Sequence, residues 1–214
     1  MRRNVLIVSC IALMILFVYP VEARTSADPG QAGPYAIGYV AITTTNPNTD
    51  SELVTDIYYP ASDSSVDPGG APYAALVFAH GFMASPSGYS GYGEHLASWG
   101  YIVAIPDFPD EDIEVRASDV QHLFSYLEAE NANGSSLFFQ AIDTARFGLT
   151  GHSLGGLGTL MVASRDERIT MAGVPLDPAG GMLSSWDHEA EAPDIAAPLA
   201  VIAAPSQLCN NSAE

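Results

Sequence analysis

The sequence contains no lysine: all seven of its basic residues are arginine, they face 25 acidic ones, and the 214-residue chain carries a net charge of −18. With so little positive charge there is no basic footprint for phosphate backbones or anionic headgroups, which argues against nucleic acids and anionic membranes as partners. A surface this acidic speaks to solubility rather than to fold. No internal repeat or low-complexity tract occurs, so neither a solenoid nor a disordered linker is indicated. The longest apolar run, residues 5–19, covers 15 residues, short of the roughly 20 that a bilayer-spanning helix needs. Cysteine is limited to Cys10 and Cys209, and histidine to five positions.

What is present suits one domain, since a chain of this length with 48% apolar residues can bury a single continuous core. Its start has the layout of an export signal. Arg2 and Arg3 form a charged n-region, the run 5–19 an h-region, and Val21-Glu22-Ala23 a small-residue cleavage site. The tetrad Ile7-Val8-Ser9-Cys10 superficially resembles a lipoprotein box, but too little apolar sequence precedes it. Residues 1–23 therefore read as a signal peptide and 24–214 as the mature domain, secreted or periplasmic. Cleavage removes two positive charges and one negative, which takes the net charge from −18 to −19. It also leaves Cys209 alone, and an odd cysteine in an exported chain suggests a missing partner.

From Pro34 onward short β-branched or aromatic runs alternate with helical patterns, the mark of an α/β architecture with a largely parallel sheet. Residues 35–45 and 56–59 read as two antiparallel edge strands and 61–71 as a loop rich in Ser, Asp, Gly and Pro. Strands are expected at 74–79, 101–106, 147–150, 169–176 and 199–204. Helices are expected at 89–98, closed by Gly100 as a C-cap, at 117–130 and at 154–163. In the second of these Val120, Leu123, Phe124 and Leu127 form one apolar stripe, with Asp119 and Glu128 off it. Residues 179–198 form a loop-rich excursion. The chain ends ten residues after Ala204, where the complete fold would usually add another helix, strand and terminal helix, so the last strand and helix are expected to be lacking.

The chemistry is carried by Gly151-His152-Ser153-Leu154-Gly155, a G-x-S-x-G between an expected strand and an expected helix. In such a nucleophile elbow the serine sits on a strained turn, and the flanking glycines avoid clashes with neighbouring backbone. The helix behind Ser153 points N–H groups and a positive dipole end at a developing oxyanion. The loop after the third strand normally supplies a second donor, and His80-Gly81-Phe82 stands there. The N–H groups of Phe82 and Leu154 are thus the oxyanion donors. A serine nucleophile also needs a base and a carboxylate to orient it. Asp177 directly follows the strand 169–176, at the sheet edge where open α/β folds collect their sites. Asp194 is the fallback. The base should follow a later strand, yet Pro205 to Glu214 holds no histidine, and the only one downstream of Ser153 is His188. His188 is a substitute base or simply a surface residue in the excursion; the triad histidine proper is missing from these 214 residues.

The remaining polar residues have plainer readings. His80 serves structure through hydrogen bonds under its loop, and His95 and His122 are packing or surface residues on helices. The cluster Asp107, Asp110, Glu111, Asp112 and Glu114 lacks the spacing of a calcium loop and reads as a solvated acidic loop. Asn133 and Asn210 stand in N-x-S sequons, meaningful only in a glycosylating host. Nothing calls for a metal or another cofactor.

The series Ala74 to Phe82, Leu96 to Val103, Asp143 to Gly148 and the elbow resembles the chlorophyllase family and the related bacterial polyester (PET) hydrolases and cutinases, over roughly residues 34–210. The resemblance implies an α/β-hydrolase fold, metal-free ester hydrolysis, a nucleophile at Ser153 and an oxyanion donor at Phe82. Leu176-Asp177-Pro178 resembles the place where chlorophyllases, pancreatic lipases and the platelet-activating-factor acetylhydrolases carry their aspartate. Polyester hydrolases take theirs from the loop after the following strand, which reads Pro205 to Cys209 here and has no carboxylate. Leu154 replaces the arginine usual in plant chlorophyllases. The expectation is a secreted serine carboxyl-ester hydrolase acting through an acyl-enzyme on Ser153, with a small or polymeric ester as substrate. The rival is a secreted binding protein that keeps the fold without catalysis.

Overall fold

A computed structural model describes residues 28–179 and 195–203. The described strands are β1 (Ala36–Asn46), β2 (Ser51–Ser62), β3 (Ser65–Val66), β4 (Tyr73–Ala79), β5 (Tyr101–Asp107), β6 (Ile142–His152) and β7 (Ile169–Leu176). They form one sheet in the order β1-β2-β5-β4-β6-β7, with β3 paired to β2. β1, β2 and β3 run antiparallel, and β5, β4, β6 and β7 are mutually parallel. Among the described residues three α-helices flank it: α1 (Ser90–Ser98), α2 (Ile113–Ala132) and α3 (Leu154–Arg165). This is the α/β-hydrolase arrangement, a mixed but mostly parallel sheet with helices on both faces.

Strand periodicity divides the core. Ala75, Val77 and Ala79 on β4 and Ile102 and Ala104 on β5 point into the larger cluster, which α2 and α3 cover with Leu123, Phe124, Leu127, Leu157 and Met161. Leu76, Phe78, Val103 and Ile105, one residue out of phase, join Tyr58 and Ala97 on the α1 face. Both faces being covered explains why β4 and β5 read as unbroken apolar runs. Beside α1 that second face carries an apolar groove of about 350 Å³ whose lining includes Phe78, Tyr92, Leu96, Met171 and Leu176.

Several boundaries differ from the sequence expectation, each for a local reason. The stretch 61–71 is not all loop: β2 runs on to Ser62 and turns through Asp63, at φ 56°, into the short β3. Aspartate tolerates that left-handed conformation better than most residues. Helix α2 starts four residues early because Asp112 caps it, its side chain accepting from the N–H groups of Glu114 and Val115. Asp119 is fully buried rather than off the stripe, with one carboxylate oxygen accepting from Asn46 and Thr49 of the β1–β2 turn at 2.8 Å each. Gly100 does close α1, at φ 93° with its N–H on the Ala97 carbonyl at 3.0 Å. The expected strand 199–204 runs parallel to β7 but as two isolated bridges, Gly173 to Leu199 and Leu176 to Ile202. The rung between them fails because Pro175 has no N–H to donate. Residues 1–27, 180–194 and 204–214 are outside the described residues, and with them the expected signal peptide, His188, Asp194, Cys209 and the Asn210 sequon.

Candidate active site

Parallel pairing aligns the C-terminal ends of β4, β6 and β7. Ala79 pairs with Gly151 and His152 pairs with Leu176, so the loop His80 to Ala84, the Ser153 turn and Asp177 all leave the sheet along one edge. That is where an open parallel sheet presents loops to a ligand. Ser153 is the N-cap of α3 and sits at φ 54°, ψ −115°, a conformation that costs a non-glycine residue on the order of 1–3 kcal/mol. Backbone hydrogen bonds hold it there: its N–H donates to the Leu176 carbonyl at 3.0 Å, while its carbonyl accepts from Ala179 at 2.9 Å and Leu157 at 3.0 Å. Leu154, the first residue of α3, is 2% exposed. Close approach is what Gly155 provides, since a Cβ there would lie 2.1 Å from the Ala79 carbonyl oxygen.

Asp177 follows β7 directly, as the sequence indicates, at φ 44° and with its N–H bonded to the Ile202 carbonyl. Met83, one residue past Phe82, has φ 52°. Of the six non-glycine residues with positive φ among the described residues, Met83, Ser153 and Asp177 gather at this edge. Strain concentrated in that way is typical of sites that need fixed geometry. The Phe82 side chain is half exposed and Met83 almost fully so.

The loop after β4 is tied down on two sides. On one, the Tyr89 hydroxyl accepts from the Gly81 N–H at 3.4 Å and pairs with His152 Nδ1 at 2.9 Å. On the other stands His80, 1% exposed, with Nδ1 at 2.8 Å from the Gly81 carbonyl and Nε2 accepting from the Phe108 N–H at 3.2 Å. Those partners assign the neutral tautomer with the proton on Nδ1. Burial lowers the His80 pKa, and the nearby Arg116 lowers it further, which agrees with a neutral ring. The structural role expected for His80 is therefore what its contacts describe. His95 stacks loosely on Trp99, and His122 bonds the Thr44 hydroxyl at 3.0 Å.

The acidic cluster is solvated as expected, with Asp107, Asp110, Asp112 and Glu114 exposed, but it is also tied into the fold. Asp112 caps α2, the Asp110 side chain accepts from the Asp112 N–H at 2.8 Å, and Glu114 pairs with Arg165. Glu111 pairs with Arg116, an arginine only 2% exposed whose Nη1 donates to the His80 carbonyl at 3.0 Å. Sequence reasoning missed Arg116. Its signal was positional: it lies three residues after Ile113 and four before Val120, on the apolar stripe of α2. No group of three or more His, Cys, Asp or Glu side chains that could hold a metal occurs among the described residues. Nor is any described helix long and apolar enough to cross a membrane.

A family model described as PET hydrolase-like matches residues 20–213. The chain belongs to the PET hydrolase-like family. Curated relatives in line with that membership include a bis(hydroxyethyl) terephthalate hydrolase of Streptomyces coelicolor, 32% identical over 148 residues, covering 69% of this chain and 43% of the relative. Cutinase est2 of Thermobifida alba is 29% identical over 148 residues, with 69% of this chain and 44% of the relative covered. Cutinase 2 of Thermobifida cellulosilytica is 30% identical over 122 residues, covering 57% and 43%. The chain thus spans less than half the length of these curated relatives. The family agrees with the polyester-hydrolase and cutinase side of the resemblance drawn from the motifs around Phe82 and Ser153.

Proposed function

We propose that this protein is a secreted serine carboxyl-ester hydrolase, directed to export by residues 1–23 and matured by their cleavage, with Ser153 as nucleophile. The observation that carries the reading is the strained turn at Ser153, held between β6 and the N-terminus of α3. There Ser153 Oγ attacks the ester carbonyl while a histidine oriented by Asp177 takes its proton. Within these 214 residues the one histidine downstream of Ser153 is His188. The N–H groups of Phe82 and Leu154 receive the oxyanion, the latter aided by the positive end of the α3 dipole. Collapse of the intermediate expels the alcohol, which takes the proton from the histidine and leaves an acyl-Ser153. Water activated by the same base then releases the acid. Substrates are carboxylic esters, small or polymeric, in keeping with relatives named for a terephthalate ester and for cutin.

The test is p-nitrophenyl butyrate hydrolysis by the full-length protein against its Ser153→Ala variant. The variant should lose at least about a thousandfold in kcat while staying folded. Equal rates would remove Ser153 from the chemistry.

A further inference from the structure

Phe82 is only loosely anchored by packing. Phe82 is 50% exposed and Met83 80%, so burial of apolar surface does little to determine where the Phe82 N–H points. The turn is nonetheless tightly defined. The Ala84 N–H returns to the Gly81 carbonyl at 3.2 Å, and Met83 is held at φ 52°, a strained value that persists only where surroundings impose it.

The imposing groups come from the segment after β5. Arg116 Nη1 donates to the His80 carbonyl, two residues before Phe82, at 3.0 Å. Glu111 Oε1 accepts from the Met83 N–H, one residue after it, at 3.0 Å. Arg116 and Glu111 pair with each other through Nη2 and the other carboxylate oxygen, so the chain from His80 to Met83 is spanned by one closed ring of charge-assisted hydrogen bonds. Arg116 is itself immobilised, with Nε donating to the Asp110 carbonyl at 2.9 Å and its guanidinium 4.8 Å from the centre of the Phe108 ring. A buried arginine is costly to desolvate, and a packed aliphatic side chain would fill the same space more cheaply. What an aliphatic residue could not do is fix both ends of the turn.

We propose that Glu111 and Arg116 are positioning residues for the Phe82 backbone N–H, aiming it as an oxyanion donor for the reaction at Ser153; this rests on the esterase reading above. Neither side chain touches substrate. Their effect is on transition-state stabilisation, so it belongs in kcat rather than in KM.

The experiment compares the full-length protein with Glu111→Ala and Glu111→Gln, using p-nitrophenyl butyrate kinetics and backbone ¹⁵N order parameters. Glutamine keeps one oxygen, which can accept from the Met83 N–H while losing the Arg116 contact made by the second carboxylate oxygen; alanine keeps neither. Glu111→Ala should lose roughly 10- to 100-fold in kcat with KM within about twofold, the scale expected for an oxyanion donor displaced by about 1 Å. Glu111→Gln, which restores the Met83 bond alone, should recover part of that loss. In the alanine variant alone, order parameters at Phe82 and Met83 should fall from about 0.85 to below about 0.6. Unchanged kcat, a proportional change in KM, no recovery with glutamine, or unchanged order parameters would each overturn the proposal. A parent with no Ser153-dependent turnover would instead overturn the esterase reading and with it the catalytic purpose of the ring, and the order parameters would still report whether Glu111 holds the loop.

Discussion

Replacing Gly155 by alanine should damage both stability and catalysis, and the structure sets the scale. A Cβ at that position would stand 2.1 Å from the Ala79 carbonyl oxygen, 2.5 Å from its carbon and 2.7 Å from the His80 carbonyl oxygen. All three are backbone atoms at the end of β4, so none can rotate aside, and the shortest approach is more than about 1 Å inside ordinary contact. The N-terminus of α3 must then withdraw from β4. Overpacking of this kind typically costs ~1–3 kcal/mol, which for a domain of this size lowers Tm by roughly 2–12 °C. The same movement carries the Leu154 N–H away from the Phe82 N–H, and a misplacement of about 1 Å costs on the order of a hundredfold in rate. Gly158 supplies the control three residues along α3, where an added Cβ meets only the end of the Ile113 side chain at 3.4 Å. Gly158→Ala should gain up to about 1 kcal/mol through helix propensity and keep its activity. Calorimetric Tm and p-nitrophenyl butyrate rates would be measured on both. A Gly155→Ala protein that matched the Gly158→Ala protein in both would refute the close-approach argument.

Two further outcomes are expected. Ser153→Gly should be more stable than Ser153→Ala by about 1 kcal/mol in denaturant titrations, because glycine relieves the φ of 54° that alanine retains; equal midpoints would mean the elbow is not strained. Stability should also fall as pH drops below about 6.5, since burial holds the folded-state pKa of His80 below its unfolded value. The neutral ring's contribution is therefore complete above the unfolded pKa and is lost on acidification, with a slope of at most ~1.4 kcal/mol per pH unit for the group. Burial lowers the His122 pKa as well, so urea unfolding of His80→Gln and His122→Gln between pH 8 and 5 would apportion the effect, and an unaltered slope in His80→Gln would contradict the assignment.

The alternation of buried runs and helical stripes, the elbow at Ser153 and the position of Asp177 after β7 were all legible in the sequence. Each depends on local rules: strand and helix periods, turn chemistry, and the glycines a tight approach demands. Even the interrupted pairing of residues 199–202 follows from one proline, once its neighbour strand is known. What the tertiary structure alone decided is which distant groups meet. The β1–β2 turn reaches Asp119, so an aspartate read as lying off the stripe is buried. The segment after β5 folds back on the loop after β4, so Glu111 and Arg116, read as part of a solvated surface or not read at all, bracket Phe82. Hydrogen bonds between loops separated by about thirty residues leave no periodic trace, because their partners are set by strand order and not by spacing along the chain.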